Sequence, residues 1–220
     1  MSKFIYIKTF FVVLSLSFSL PSFANEEHFN YCKIDNALEA VNHYFNNNVN
    51  IICENAKQIN NDGSSVKVKF YWQNYKLAMY FDKPINAAVW ADKDNIYYLD
   101  ETINECSKIK TKNSIAKILT SELNLSNKNS NLIIKKYHCN KSDNKFTINF
   151  FDKTSPDDGT IEISFEAKFI DKKIEIVNIL YLKVIPKDLD QTVMLVMKNQ
   201  VSTNVDIKPE LIIPPKICTK

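Results

Sequence analysis

Asn61-Asp62-Gly63-Ser64-Ser65-Val66-Lys67-Val68-Lys69-Phe70-Tyr71-Trp72 is the stretch that decides the fold. An Asp-Gly pair, whose glycine takes a positive φ without steric cost, leads into strict alternation of apolar and polar side chains. Val66, Val68, Phe70 and Trp72 fall on one side of a strand, and Lys67, Lys69 and Tyr71 on the other. The pattern recurs after the only other glycine, in Asp157-Asp158-Gly159-Thr160, where Ile161, Ile163, Phe165 and Ala167 alternate. Both are half-buried strands of antiparallel sheet entered through tight turns.

Outward from these, the same logic predicts strands over 76–81, 87–90, 96–99, 132–138, 146–151 and 173–185, and a less regular one over 192–198. Their spacing is short, so the connections are hairpins rather than helical crossovers. Two stretches carry helical spacing. Asp35 can cap a run with Leu38, Val41 and Phe45 on one face, and Ile115, Ile118, Leu119 and Leu123 precede an Asn- and Ser-rich break at 124–131. The fold class expected is α+β, mainly antiparallel meander sheet with two helices packed on one face and an extended C-terminal tail around Pro214-Pro215. Helix plus meander occurs twice, over 25–108 and 109–220, as two halves or as one continuous domain.

Residues 1–24 read as a signal peptide: Lys3 and Lys8, the apolar run Phe10-Phe11-Val12-Val13-Leu14-Ser15-Leu16, then Ser22-Phe23-Ala24 before a cut after Ala24. The apolar run falls short of the roughly 20 residues of a membrane span. Export to the periplasm, with no span and no lipid anchor, is expected; the first cysteine, Cys32, lies well past the cut. The remaining chain carries 26 Lys against 25 acidic residues, so its net charge is near zero. There is no Arg among the 28 basic residues. Without Arg's bidentate fork, specific nucleic-acid recognition is not expected.

Five cysteines, Cys32, Cys53, Cys106, Cys139 and Cys218, would meet an oxidising compartment. Bracketing of the two predicted helices suggests Cys32–Cys53 and Cys106–Cys139. Cys218 is then left to link to Cys218 of a second chain, making a dimer, or to stay reduced. None has the close spacing of a zinc knuckle, so no metal site is assigned.

Catalytic chemistry finds little to build on. His28 and His43 read as surface residues. His138 and Cys139 are strand neighbours that point to opposite faces, so they cannot form a thiol-base pair. No glycine-flanked serine elbow occurs, and two turn glycines cannot cradle a phosphate. Asp92-Lys93-Asp94-Asn95 with Asp100-Glu101 reads as a solvated hairpin turn rather than a calcium loop. No catalytic residue and no cofactor are assigned.

Aromatic residues crowd the first meander, and four of them, Tyr71, Tyr75, Trp90 and Tyr97, are the candidate binding face. Tyr and Trp favour protein contact patches, although a sheet's core and rim use them equally well. The expected function is an exported, non-catalytic binder of an unknown envelope protein, of the inhibitor or immunity type that guards against a toxin or enzyme. The alternative is a small-ligand carrier or hydrolase with its pocket in a curved sheet.

Overall fold

The computed structural model describes residues 31–46, 50–110, 125, 130–154, 157, 159–185, 187, 192–197, 201–204 and 206–219. The proposed signal segment, His28 and the second predicted helix lie outside them. The first predicted helix forms as α1 (Ile34–Asn46), with Asp35 in its first turn and Ala37, Leu38, Val41, Tyr44 and Phe45 on the buried face.

Among the described residues, twelve antiparallel strands make one sheet. A first meander runs through β1 (Asn50–Ile59), β2 (Ser65–Gln73), β3 (Lys76–Phe81), β4 (Ala87–Ala91), β5 (Asn95–Asp100) and β6 (Glu105–Lys110). A second runs through β7 (Leu132–Asn140), β8 (Lys145–Asp152), β9 (Thr160–Ile170), β10 (Lys173–Ile185) and β11 (Val193–Val196). The meanders join where β11 pairs with the C-terminal part of β1, while β12 (Val201–Thr203) pairs with its N-terminal part. The order is therefore β6-β5-β4-β3-β2-β1-β11-β10-β9-β8-β7, with β6 and β7 as the outermost strands.

Three strands have no counterpart in the sequence pattern: β1, β6 and the three-residue β12. In β1, a bulge between Cys53 and Ala56 puts Glu54 and Asn55 out of alternation, hiding the period of two. In β6, Glu105, Ser107, Lys108 and Lys110 leave only Cys106 and Ile109 as apolar marks, because an edge strand need not be apolar and lysines protect its open hydrogen-bonding side. The deciding stretch behaves as read: Gly63 has φ +80° and its N–H donates to the Asn60 carbonyl, closing the β1–β2 hairpin.

Register assigns the faces. The inner face, which carries α1, holds Phe70, Trp72, Phe146, Ile148, Phe150, Ile161, Ile163 and Phe165, all at most 3% exposed. Phe146 and Phe165 stack with ring centroids 5.3 Å apart. The helix begins near β7, crosses β10, and reaches β2 at its C-terminal end, where Phe45 meets Trp72 edge-on at 5.7 Å. One helix on this face is therefore established. Among the described residues no helix is long and apolar enough to cross a membrane.

The disulfides correct the sequence expectation. Cys32 bonds Cys139 and Cys106 bonds Cys218, while Cys53 lies fully buried in the core and in neither bridge. Cys32–Cys53 and Cys106–Cys139 assumed that each bridge spans its own helix. Instead Cys53 points inward from β1, and the bridges fasten the two edge strands, β7 to the start of α1 and β6 to the C-terminal segment. Cys218 is thus used within the chain, which removes the thiol for a Cys218-linked dimer.

Candidate functional site

Three of the four candidate aromatics converge, on the outer face and under the chain's own C-terminus. Cross-strand pairing aligns Tyr71 with Ala78, Ala78 with Trp90, and Trp90 with Tyr97. Tyr71, Trp90 and Tyr97 are only 3%, 4% and 7% exposed, packed with Ala78 and Ala88 beneath Ile207, Leu211, Ile212 and Cys218. The two alanines leave room for the covering segment to approach the sheet. Tyr75 is not part of this group. It sits in the β2–β3 turn at φ +59° and packs edge-on against Trp72 on the inner side, centroids 6.1 Å apart.

The covering segment, residues 206–219, is less extended than a plain strap. It holds the single turn α2 (Pro209–Ile212) and a 3-10 turn at Lys216–Cys218. Gln73, nearly buried at the end of β2, grips it twice: its amide donates to the Asp206 carboxylate at 2.6 Å and its carbonyl accepts from the Ile207 N–H at 3.1 Å. The Tyr80 hydroxyl donates to the Leu211 carbonyl at 2.9 Å, and Tyr80 packs edge-on against Trp90. The bridge to Cys106 secures the end. Burial pushes the Tyr80 hydroxyl's pKa up, against the opposing effect of the Trp90 indole N–H. Burial, aided by the hydrogen bond to Glu54 at 2.5 Å, also pushes Tyr71 up. Both phenols are therefore neutral donors at physiological pH.

On the inner face the cover differs. Beyond the C-terminal end of α1, strands β3 to β6 present Met79 and Phe81, then Val89, then Ile96 and Tyr98, then Ile109. All are partly or well exposed, reaching 39% at Tyr98 and 60% at Ile109. The result is an apolar strip that grows more open toward the β6 edge, whereas the outer apolar patch is closed. Over β8–β10 the outer face is polar, with Tyr181 donating to Glu162 and Lys168 paired with Glu175.

Catalytic groupings do not assemble among the described residues. Cys139 is held in a disulfide with His138 on the opposite face, and His43 is exposed on α1. No cluster of three or more metal-ligating side chains occurs among the described residues. The Asp92 carboxylate accepts from the N–H groups of Asp94 and Asn95, as a hairpin-turn aspartate does.

No protein family matches the sequence, and no curated protein does. Crystal structures with a similar chain path exist. An uncharacterised conserved protein from Thermus thermophilus shares 8% identity with a TM-score of 0.47, covering 82% of this chain and 94% of that one. A DUF1329 family protein from Desulfovibrio piger shares 10% at a TM-score of 0.49, over 81% and 95%. A domain provisionally described as an outer membrane lipoprotein-sorting protein, from Vibrio parahaemolyticus, shares 9% at 0.48, over 79% and 95%. Each is a distant likeness and assigns no ligand or partner to this chain.

Proposed function

We propose that this is an exported, non-catalytic carrier of the bacterial envelope that holds an apolar chain against the inner face of β3–β6. The observation that carries this reading is an apolar strip on the face where the rest of the sheet buries its core, half-buried at Met79, Phe81, Val89 and Ile96 and exposed at Tyr98 and Ile109. An apolar ligand laid along it removes the strip from water without unfolding anything. Export to the periplasm follows from the signal-like residues 1–24 and suits the two disulfides.

A fluorescent acyl probe titrated into the oxidised protein tests this. Ile109 is solvent-exposed, so Ile109→Asp folds normally and weakens the probe by about tenfold, the worth of burying roughly half an isoleucine. Equal affinity in wild type and Ile109→Asp, or no binding at all, refutes the reading.

An inhibitor or immunity-type protein is the second reading, and one observation favours it. The covering segment turns Ile213 and Ile217 outward, 49% and 42% exposed, beside Pro214 and Pro215. Crosslinking in envelope extract that captures one stoichiometric partner, lost in Ile213→Asp/Ile217→Asp, supports it; silence in both proteins removes it.

A further inference from the structure

A second surface feature lies at the rim where β1, β2 and the β3–β4 turn meet, a cleft of about 680 Å³. Lys57, Lys67 and Lys83 line it, with Ser65 and Asn86 as neutral polar groups, Val66 as its apolar wall and Asp82 as its one carboxylate. Register places Lys57 directly opposite Lys67 on neighbouring strands. Like charges so opposed are destabilising and are normally avoided or neutralised.

Here they are not neutralised from within. Among the described residues, lysines at 33, 69, 168 and 187 make ion pairs, and Lys57, Lys67 and Lys83 make none. The contrast is sharpest for Lys69, two positions along the same face of β2, which reaches Glu54 at 3.9 Å. Asp82 shares the cleft yet lies beyond ion-pair distance of all three. Among the lining residues, three lysines against one aspartate leave an excess of two positive charges around a concavity that also has a serine and an asparagine in its wall. That excess matches a phosphate monoester, which carries nearly two negative charges at neutral pH.

We infer that this cleft binds a phosphate-type oxyanion, carried free or as a lipid headgroup. The inference is independent of the acyl-chain reading, because the cleft residues can be titrated with inorganic phosphate, which has no apolar part. Lysine suits this role as a compact, mobile point charge, where an exact bidentate geometry would call for arginine.

The test is an amide-shift titration of the full oxidised protein with inorganic phosphate, alongside sedimentation with phosphatidylcholine vesicles made with and without phosphatidic acid. Phosphate is expected to move the signals of Ser65–Lys67 and Lys83–Asn86. Affinity should fall about fivefold for each lysine removed in Lys57→Gln and Lys67→Gln, as for an exposed charge pair, and fall again when salt rises from about 0.05 to 0.5 M. Lys135→Gln, outside the cleft, should leave it unchanged. Co-sedimentation confined to the phosphatidic acid vesicles, and lost in the double variant, identifies the headgroup as the source. Failure of both probes to bind overturns the inference, as does an equal loss in Lys135→Gln.

Discussion

Replacing Cys106 and Cys218 by serine removes the bridge that closes the outer aromatic cluster, and the size of the effect follows from where the bridge lies. It joins residues 112 apart. Closing a loop of that length restricts the unfolded chain by about 5 kcal/mol in the chain-entropy treatment, within the 2–5 kcal/mol that removal of a native bridge costs. Taking about 4 kcal/mol and a urea m-value of about 2 kcal/mol/M, the midpoint drops by about 2 M. A second, local effect precedes it. Residues 206–219 are otherwise held by a few buried apolar side chains, the two bonds from Gln73 and those from the Tyr80 hydroxyl to the Glu210 and Leu211 carbonyls. Ordering them costs about 1–2 kcal/mol per residue, so the unbridged segment opens while the sheet remains folded. The two tryptophans separate these events. Trp90 lies under the segment, and Trp72 lies in the core on the other face. Acrylamide quenching of the variant in buffer should rise by the Trp90 component alone, with Trp72 becoming accessible only at the urea transition. An unchanged midpoint together with unchanged quenching would refute the reasoning.

Gln73→Ala keeps the bridge but deletes both bonds to residues 206 and 207; amide exchange over 206–213 should accelerate about tenfold, corresponding to one to two lost hydrogen bonds, while exchange in β8 and β9 stays the same. Phe165→Ala, at a fully buried ring stacked on Phe146, should cost about 3–5 kcal/mol by urea denaturation and leave the 206–219 segment attached. Tyr137→Phe tests a buried hydroxyl that has no hydrogen-bond partner among the described residues. Burial first, and the neighbouring Tyr31 second, push Tyr137 up to about 12. A raised acid pKa means the folded state keeps its proton longer than the unfolded chain, so this contribution is complete below about pH 10 and is lost as pH climbs toward 12. The phenylalanine variant should match or exceed wild-type stability at pH 7 and show a shallower decline from pH 10 to 12, read from urea midpoints across that range.

Much of the sheet was legible because its physics is local. Alternation at Val66–Trp72 and Ile161–Ala167 gave strand and buried face together, since a strand between core and water must repeat every two residues. Where a neighbour altered that requirement, legibility failed. The bulge at Cys53–Ala56 concealed β1, and edge position freed β6 from any apolar pattern. The candidate site was half legible. Tyr71 was correctly placed on the face opposite Trp72, but what met it there was Ile207, Leu211 and Ile212, more than a hundred residues away, and no local pattern announces such a partner. Leu211-Ile212-Ile213, with Ile207 before it and Ile217 after it, was the available signal, an apolar tail needing a surface to cover.

By itself the sequence determined that the chain forms antiparallel sheet with a packed N-terminal helix, because period and turn chemistry are properties of neighbours along the chain. It also determined the near-neutral charge that remains once residues 1–24 are set aside. Only the tertiary structure decided which cysteines meet, that the two meanders join through β1 and β11, and that the outward aromatics are closed by the C-terminal segment. It also decided that the inner face beyond α1 is, among the described residues, only partly covered and that Lys57 and Lys67 stand side by side. Each of these depends on contacts between residues far apart in sequence, whose geometry is set by how the whole sheet is ordered and not by any one stretch of it.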